Sequence, residues 1–288
     1  MNVSNLSKQL QNVHLNEQQL QQQQQQQKQQ CSDLAAFFEQ PPPSSGFTLI
    51  SHRSAPNGFK IAIILEELQY SYRSILLDFD AGDHRLPQFL QLNPNGRVPA
   101  LIDHNESPPV SLWESGAIVQ YLLNKKTKED GFCPNIWSDN LIEQSQILSW
   151  LFFQTSGHAP MIGQALHFKY FHSISVPSAV DRYVDEVRRV YGVVEMALSE
   201  RREALIMELD ADNAASYSAG LTPLSQSRYF NHPVWLVGDR CTVADLCFVP
   251  WNYVVDRVGI DIKAEFPEVY KWTRHMMGRP GVARALKG

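Results

Sequence analysis

The 288-residue sequence predicts an α/β domain followed by an all-α domain, with a disordered tail ahead of both. Three observations carry this. Residues 46–130 alternate strand and helix patterns in the order βαβαββα, the arrangement of a small mixed sheet covered by helices. Residues 131–288 carry only helical periodicity. Residues 1–45 hold the run "NEQQLQQQQQQQKQQ" and the linker "QPPPSSG", with too little apolar side chain to offset the entropy lost on ordering.

Within the tail, "CSDLAAFFEQ" is the one apolar patch, sized for a nascent helical turn, and stacked glutamine amides could form a cross-β ladder. In the α/β segment, "FTLISH" is the first strand, and Asn57 to Leu68 a helix with Ile61, Ile64, Leu65 and Leu68 on one side. "YRSILLDF" is the second strand, and "RLPQFLQLNP" a short helix stopped by Pro94. "VPALIDH" and "VSLWES" are strands separated by "NESPP", and "SGAIVQYLLNK" is a helix opened by Ser115. "SDNLIEQSQILSWLFFQTSG" then begins the helical region with a face of large apolar side chains. A long helix follows, with Val180, Val184, Val187, Tyr191, Val194 and Leu198 at three- and four-residue steps. Residues 210–233 show no period and are rich in Ala, Ser, Asn and Gly. An inserted loop of that length serves as a lid, a binding surface or a disordered stretch. "CTVADLCFVPWNYVVDRVG" restarts the helix with a capping box between Thr242 and Asp245, both structural. "FPEVYKWTRHMMGRPG" is a further helix, opened by Pro267 and ended by Gly278 and Pro280.

Composition removes several function classes. With 43% hydrophobic residues the chain can build a real core. Its net charge of −5 and lack of a basic stripe argue against phosphate-contact binding of nucleic acid. No apolar stretch is long enough to cross a bilayer, and the amide-rich N-terminus lacks the order of a signal peptide. Cys31, Cys133, Cys241 and Cys247 form no C-x-x-C pair, which fits a reduced, cytoplasmic compartment. No metal is expected: zinc-type spacing is absent, and His167 and His172, five apart, should not share a helix face.

"GRVPAL" and "LWESGAI" carry the candidate site. A proline just before a strand in this setting often follows a cis peptide bond, so Pro99 would shape the chain and leave the Val98 N–H and C=O open to an extended peptide. Glu114 and Ser115 put a carboxylate and a hydroxyl at the start of a helix, where free N–H groups favour an anion. Together they suit a small zwitterionic peptide, its ammonium on Glu114 and its carboxylate on Ser115.

"NPNGRVPALID", "WESGAI" and the "TVAD" box resemble the glutathione transferase superfamily, over essentially everything from Phe47 onward. "SHRSAPNGFK", "GQALHF", "VRRVYGVVEMAL", "PVWLVGD" and "EFPEVYKW" are similar, within it, to fungal regulators of nitrogen catabolite repression, whose Gln/Asn-rich tails form prions in some members. The resemblance implies a thioredoxin-like domain with a helical glutathione transferase C-terminal domain, in a cytoplasmic homodimer. It implies glutathione as co-substrate and a GATA-type transcription activator as the partner held back when nitrogen is rich. It places glutathione against Asn57, His84, Arg97, Val98, Glu114 and Ser115, with His84 and Arg97 meeting the glycyl carboxylate. Each residue also has a plainer reading: Asn57 as a helix cap, His84 as a surface-loop histidine, Arg97 as a partner of Asp83, and Glu114–Ser115 as a favourable helix start.

The turn "SAPNG" departs from the superfamily's usual pattern, since Ala55 and Pro56 supply no tyrosine, serine or cysteine. Ser51 and Ser54 read as turn residues. An amide from Asn57 and a helix N-terminus could still lower a thiol pKa. Glutathione-dependent peroxide reduction is therefore the expected residual chemistry, with conjugation to electrophiles weak.

Overall fold

The computed structural model describes residues 33–287, and the expectations made for residues 1–32 lie outside them. A helix, α1 (Asp33–Glu39), precedes the α/β segment, whose expected helices and strands all form: β1 (Phe47–Ser51), α2 (Pro56–Glu67), β2 (Tyr72–Leu76), α3 (Pro87–Leu92), β3 (Ala100–Asp103), β4 (Val110–Trp113) and α4 (Ser115–Asp130). The sheet runs β2-β1-β3-β4, with β1 parallel to β2 and antiparallel to β3.

β1 is buried along its whole length because both faces of the sheet are covered. Side chains alternate across a strand. Phe47 and Leu49 enter the core shared with α2, α4 and the helical domain, while Ile50 packs on the far side with Ile75, Phe89 and Ile102. That far side receives Leu34 and Phe37 from α1, and the Arg73 guanidinium lies 4.7 Å from the Phe37 ring centroid. Residues 33–39, expected to belong to the disordered tail, are thus a helix. Two buried apolar side chains give this segment what the glutamine run lacks.

The helical domain begins with α5 (Leu141–Phe153), capped by Asn140, whose side chain accepts from the N–H groups of Ile142 and Glu143. A π-helical turn, Gln154–His158, leads into α6 (Ala159–Leu166), and a second, His167–Phe171, follows it. The second turn corrects the expectation for the two histidines. Its i→i+5 bond, from His172 N–H to His167 C=O at 2.9 Å, brings their ring nitrogens within 3.3 Å. Among the described residues, no group of three or more His, Cys, Asp or Glu stands together in metal-binding fashion.

α7 (Pro177–Leu209) is the long helix, burying Val187, Tyr191, Val194 and Leu198 along one face. The same face continues to Arg202, 2% exposed, whose guanidinium pairs with Glu268 at 3.1 Å. The aperiodic insertion is tied down rather than loose. It contains α8 (Ala214–Ser218), and the Asp210 carboxylate accepts from Asn213, Tyr217 and Ser227 side chains at 2.7–2.8 Å. α9 (Val243–Leu246) forms with its capping box. α10 (Val249–Asn252), α11 (Ile262–Glu265) and α12 (Pro267–Met277) follow. Pro280 does not merely end α12; it opens α13 (Pro280–Lys287). α13 packs on α2, and Arg279–Glu67 and Arg284–Glu66, both at 2.6 Å, join the two domains. No described helix is long and apolar enough to cross a membrane.

Candidate functional site

A cleft of about 510 Å³ opens where the segment entering β3, the end of β4 and the start of α2 meet α6 and α10. Asn57, Arg97, Val98, Pro99, Glu114 and Ser115 all line it. Six of the residues singled out in the sequence therefore converge on one cavity. His84 does not: it lies outside the lining, edge-on to Phe79 at 5.2 Å, and accepts from Arg85 Nε at 3.2 Å.

The floor is built by the segment ahead of β3. The Val98–Pro99 peptide is cis. Val98 makes no backbone hydrogen bond among the described residues, so its N–H and C=O remain open to a strand laid beside them. Asn93, which the motif reading passed over, shapes this approach. It is 2% exposed, donates from Nδ2 to the Arg97 C=O at 2.5 Å and accepts from the Asn95 N–H at 3.0 Å. Gly96 takes φ +62, and a Cβ there would stand 3.1 Å from the His84 carbonyl oxygen, so the turn needs glycine. Arg97 makes no ion pair with Asp83 or with any other described carboxylate. Asp83 instead accepts from the Asp78 N–H at 2.9 Å.

One wall is the start of α4. Glu114, the residue before the helix, has φ 64 and ψ 112, a left-handed backbone rarely tolerated by a side chain and met most often at working sites. This conformation turns Glu114 into the cleft beside Ser115, the first helical residue. Behind them lies the fully buried Lys60, whose Nζ donates to Ser115 Oγ at 2.9 Å. Burial pulls the lysine down to about 8, against the opposing influence of Cys247 and Glu114. The same cluster contains His158, held neutral and pushed down to about 3 by burial and by the Lys60 charge. It also contains Cys247, pushed up to about 11 by burial.

The opposite wall shows what Asn57 contacts. The N-cap of α2 is Ala55, and no side chain caps that helix, so Asn57 is not its cap. Instead Trp251 of α10 donates its indole N–H to Asn57 Oδ1 at 2.9 Å. An indole nitrogen can only donate, which fixes the amide's orientation and leaves Nδ2 as a free donor. Ser51 and Ser54 supply no replacement nucleophile. Ser51 is buried against Gly58, where an added Cβ would meet its Oγ at 1.8 Å, and Ser54 bonds His52 Nδ1 at 3.1 Å. The tip of the turn therefore offers an oriented amide and the N-terminus of a twelve-residue helix. Both stabilise an anion.

Comparison with known proteins agrees with this geometry. Residues 45–124 match the family described as glutathione S-transferase, N-terminal domain, and residues 158–280 the glutathione S-transferase, C-terminal domain. Protein URE2 of Candida maltosa is 73% identical over 246 residues, covering 85% of this chain and 74% of its own. Protein URE2 of Candida albicans is 72% identical, covering 85% and 71%. Among solved structures, Ure2p in complex with glutathione superposes with a TM-score of 0.85 at 67% identity, over 89% of this chain and all of that one. The nitrogen regulation fragment of the yeast prion protein Ure2p gives 0.76 at 62%, over 86% and 99%. Glutathione transferase URE2P6 of Phanerochaete chrysosporium, solved with oxidized glutathione, gives 0.68 at 37%, over 84% and 96%. Two domain matches in the right order, and relatives that share most of their length with it, establish that the chain belongs to the glutathione transferase family, in its Ure2-like branch.

Proposed function

We propose that the cleft binds glutathione and that the protein is a Ure2-like regulator of nitrogen catabolite repression with residual peroxidase activity. The observation that carries the binding reading is the convergence of the open Val98 backbone, the Glu114–Ser115 pair and the Asn57 amide on one cavity. Each suits one part of the tripeptide. Val98 pairs with the cysteinyl unit as an added strand does, and Glu114 with Ser115 holds the ammonium and carboxylate of the γ-glutamyl end. Arg97, free of internal ion pairs, meets the glycyl carboxylate by a charge-assisted bond. His84 remains a second contact for that carboxylate only through movement of its loop. Relatives solved with glutathione and with its S-substituted analogues support the same ligand.

The regulatory part rests on the URE2 relatives and on the nitrogen regulation fragment among the solved structures. In this reading a cytoplasmic homodimer retains a GATA-type transcription activator by protein contact when nitrogen is rich. Deleting the gene and measuring nitrogen-scavenging transcripts on glutamine tests it: transcripts should rise, and continued silence refutes the role. The Gln-rich tail as a prion element is a separate proposal, tested by fibre formation of the full chain against one starting at Gly46.

An enzymatic reading stands beside it because Trp251 orients the Asn57 amide toward the cleft. Glutathione thiolate, stabilised by Asn57 Nδ2–H and the start of α2, attacks the distal oxygen of a hydroperoxide. The O–O bond breaks, the alcohol leaves with a proton, and the sulfenic acid formed is reduced by a second glutathione to disulfide and water. Purified protein should reduce cumene hydroperoxide with glutathione, and Asn57→Ala should slow it by about tenfold, the value of one charge-assisted hydrogen bond. An unchanged rate removes Asn57 from the mechanism, and no rate at all removes the enzyme.

A further inference from the structure

Lys60 is a cation that the protein buries without a contacting carboxylate among the described residues, the Glu114 charge acting on it only from beyond ion-pair distance. It lies in α2, fully shielded from solvent, and forms no ion pair among the described residues. Buried charges are ordinarily paired, because an isolated ion in a low-dielectric interior is expensive. The bond it does make is to Ser115 Oγ at 2.9 Å, on the wall of the cleft. That bond has a directional consequence. A hydroxyl that already accepts from an ammonium has its own hydrogen left over, and Ser115 lies with its backbone at the first turn of α4, where N–H groups are also free. The ammonium, the hydroxyl and the helix terminus therefore line up behind one point of the cleft, and all three favour negative charge there.

We propose that Lys60 is a positioning and specificity residue for the cleft: its buried charge, acting through Ser115, selects a ligand bearing an α-carboxylate at that point and is paired by it on binding. The inference rests on the glutathione reading of the cleft and adds what distinguishes a γ-glutamyl end from any other amide-linked end. Glu114 stands on the same wall and would attract an ammonium, so the two residues together read an α-amino acid head as a dipole. The groups facing Lys60 are Glu114, Cys247 and His158. The histidine is neutral near pH 7, and burial keeps the thiol protonated there, which leaves Glu114 and the ligand as the anions in reach.

The test compares two ligands on the full-length protein by calorimetry: S-methylglutathione, and its 4-aminobutyryl analogue, which keeps the amino group and lacks the α-carboxylate. The S-methyl group removes thiol titration from the readout. Wild type should prefer the carboxylate-bearing ligand by about tenfold to a hundredfold, the range for a hydrogen bond to a charged partner. Lys60→Met, and Lys60→Gln, which retains a donor for Ser115, should bind the two ligands within about threefold of each other, the carboxylate contact having lost its charge assistance. Wild type also gives a readout that needs no variant. At pH 8, binding of S-methylglutathione should take up a fraction of a proton, seen as heats that differ between phosphate and Tris buffers, and the analogue should show no such difference. Retained discrimination in both variants, or no proton uptake in wild type, overturns the inference while leaving the glutathione reading intact. Failure of wild type to bind either ligand overturns both.

Discussion

Replacing Asp245 with alanine should unfold the helical domain more readily than almost any other single change. Its carboxylate is wholly buried and accepts four hydrogen bonds. Oδ1 takes the Leu236 N–H and the Trp272 indole N–H, both at 2.9 Å. Oδ2 takes the Thr242 N–H at 2.8 Å and the Thr242 hydroxyl at 3.1 Å. Three of these donors cannot rotate to find another acceptor. Leaving a buried donor unsatisfied costs about 1–3 kcal/mol, and part of the sum is returned by no longer burying an ionised group, so about 4 kcal/mol is the net expectation. For a body of this size that lowers Tm by about 8–16 °C. Asp245→Asn keeps the shape but turns an NH₂ toward one of the two donor pairs, and should fall between wild type and alanine. Thermal unfolding followed by circular dichroism and by tryptophan emission, with the buried Trp272 as a local reporter, gives both values. An alanine variant melting within about 3 °C of wild type would refute the reasoning, since 1 kcal/mol already shifts Tm by about 2–4 °C.

Three further expectations follow from single contacts. Gly58→Ala drives a Cβ to within 1.8 Å of Ser51 Oγ. Such overpacking costs about 1–3 kcal/mol, and Ser51→Gly in the same chain should restore part of it; a stable single variant sinks the clash. Trp251→Phe keeps the ring and removes the 2.9 Å bond that orients Asn57. It should lower peroxide reduction with a stability loss of only about 1 kcal/mol, and an unchanged rate would show that the amide needs no such guide. Lys60 should make stability rise with pH in the alkaline range. Its folded value is about 8 against the ordinary 10.5, so between these the unfolded chain holds the proton and the folded one does not. The cost of burying the charge is fully present below pH 8 and relieved by 10.5, about 3 kcal/mol in all. Urea unfolding of wild type and Lys60→Met at pH 7, 8 and 9.5 should show the gap between them narrowing with pH, and a constant gap contradicts a charged, buried Lys60.

Much of this protein was legible locally. The short apolar run of β1, the three- and four-residue steps of α7 and the Thr242–Asp245 box are each set by neighbours in the chain, which is why strand, long helix and cap formed as expected. The cleft's polar ends were legible for the same reason: a cis-prolyl strand entry and a Glu-Ser helix start are short-range devices. Two departures had different causes: α1 exists because Leu34 and Phe37 find a distant sheet face, whereas the two histidines meet because the chain between them widens locally into a π-helical turn.

What the sequence determined alone was therefore most of the elements, the family and the cleft's polar ends. What only the tertiary structure decided was how those side chains are aimed. The Asn57 amide is oriented by an indole 194 residues away that donates to its Oδ1, and Lys60, unremarked on the apolar side of its helix, became the charge behind Ser115 across 55 residues. Periodicity and motif spacing record which face a residue occupies, whereas the orientation of an amide and the pairing of a buried ion depend on partners that only folding brings within hydrogen-bond reach.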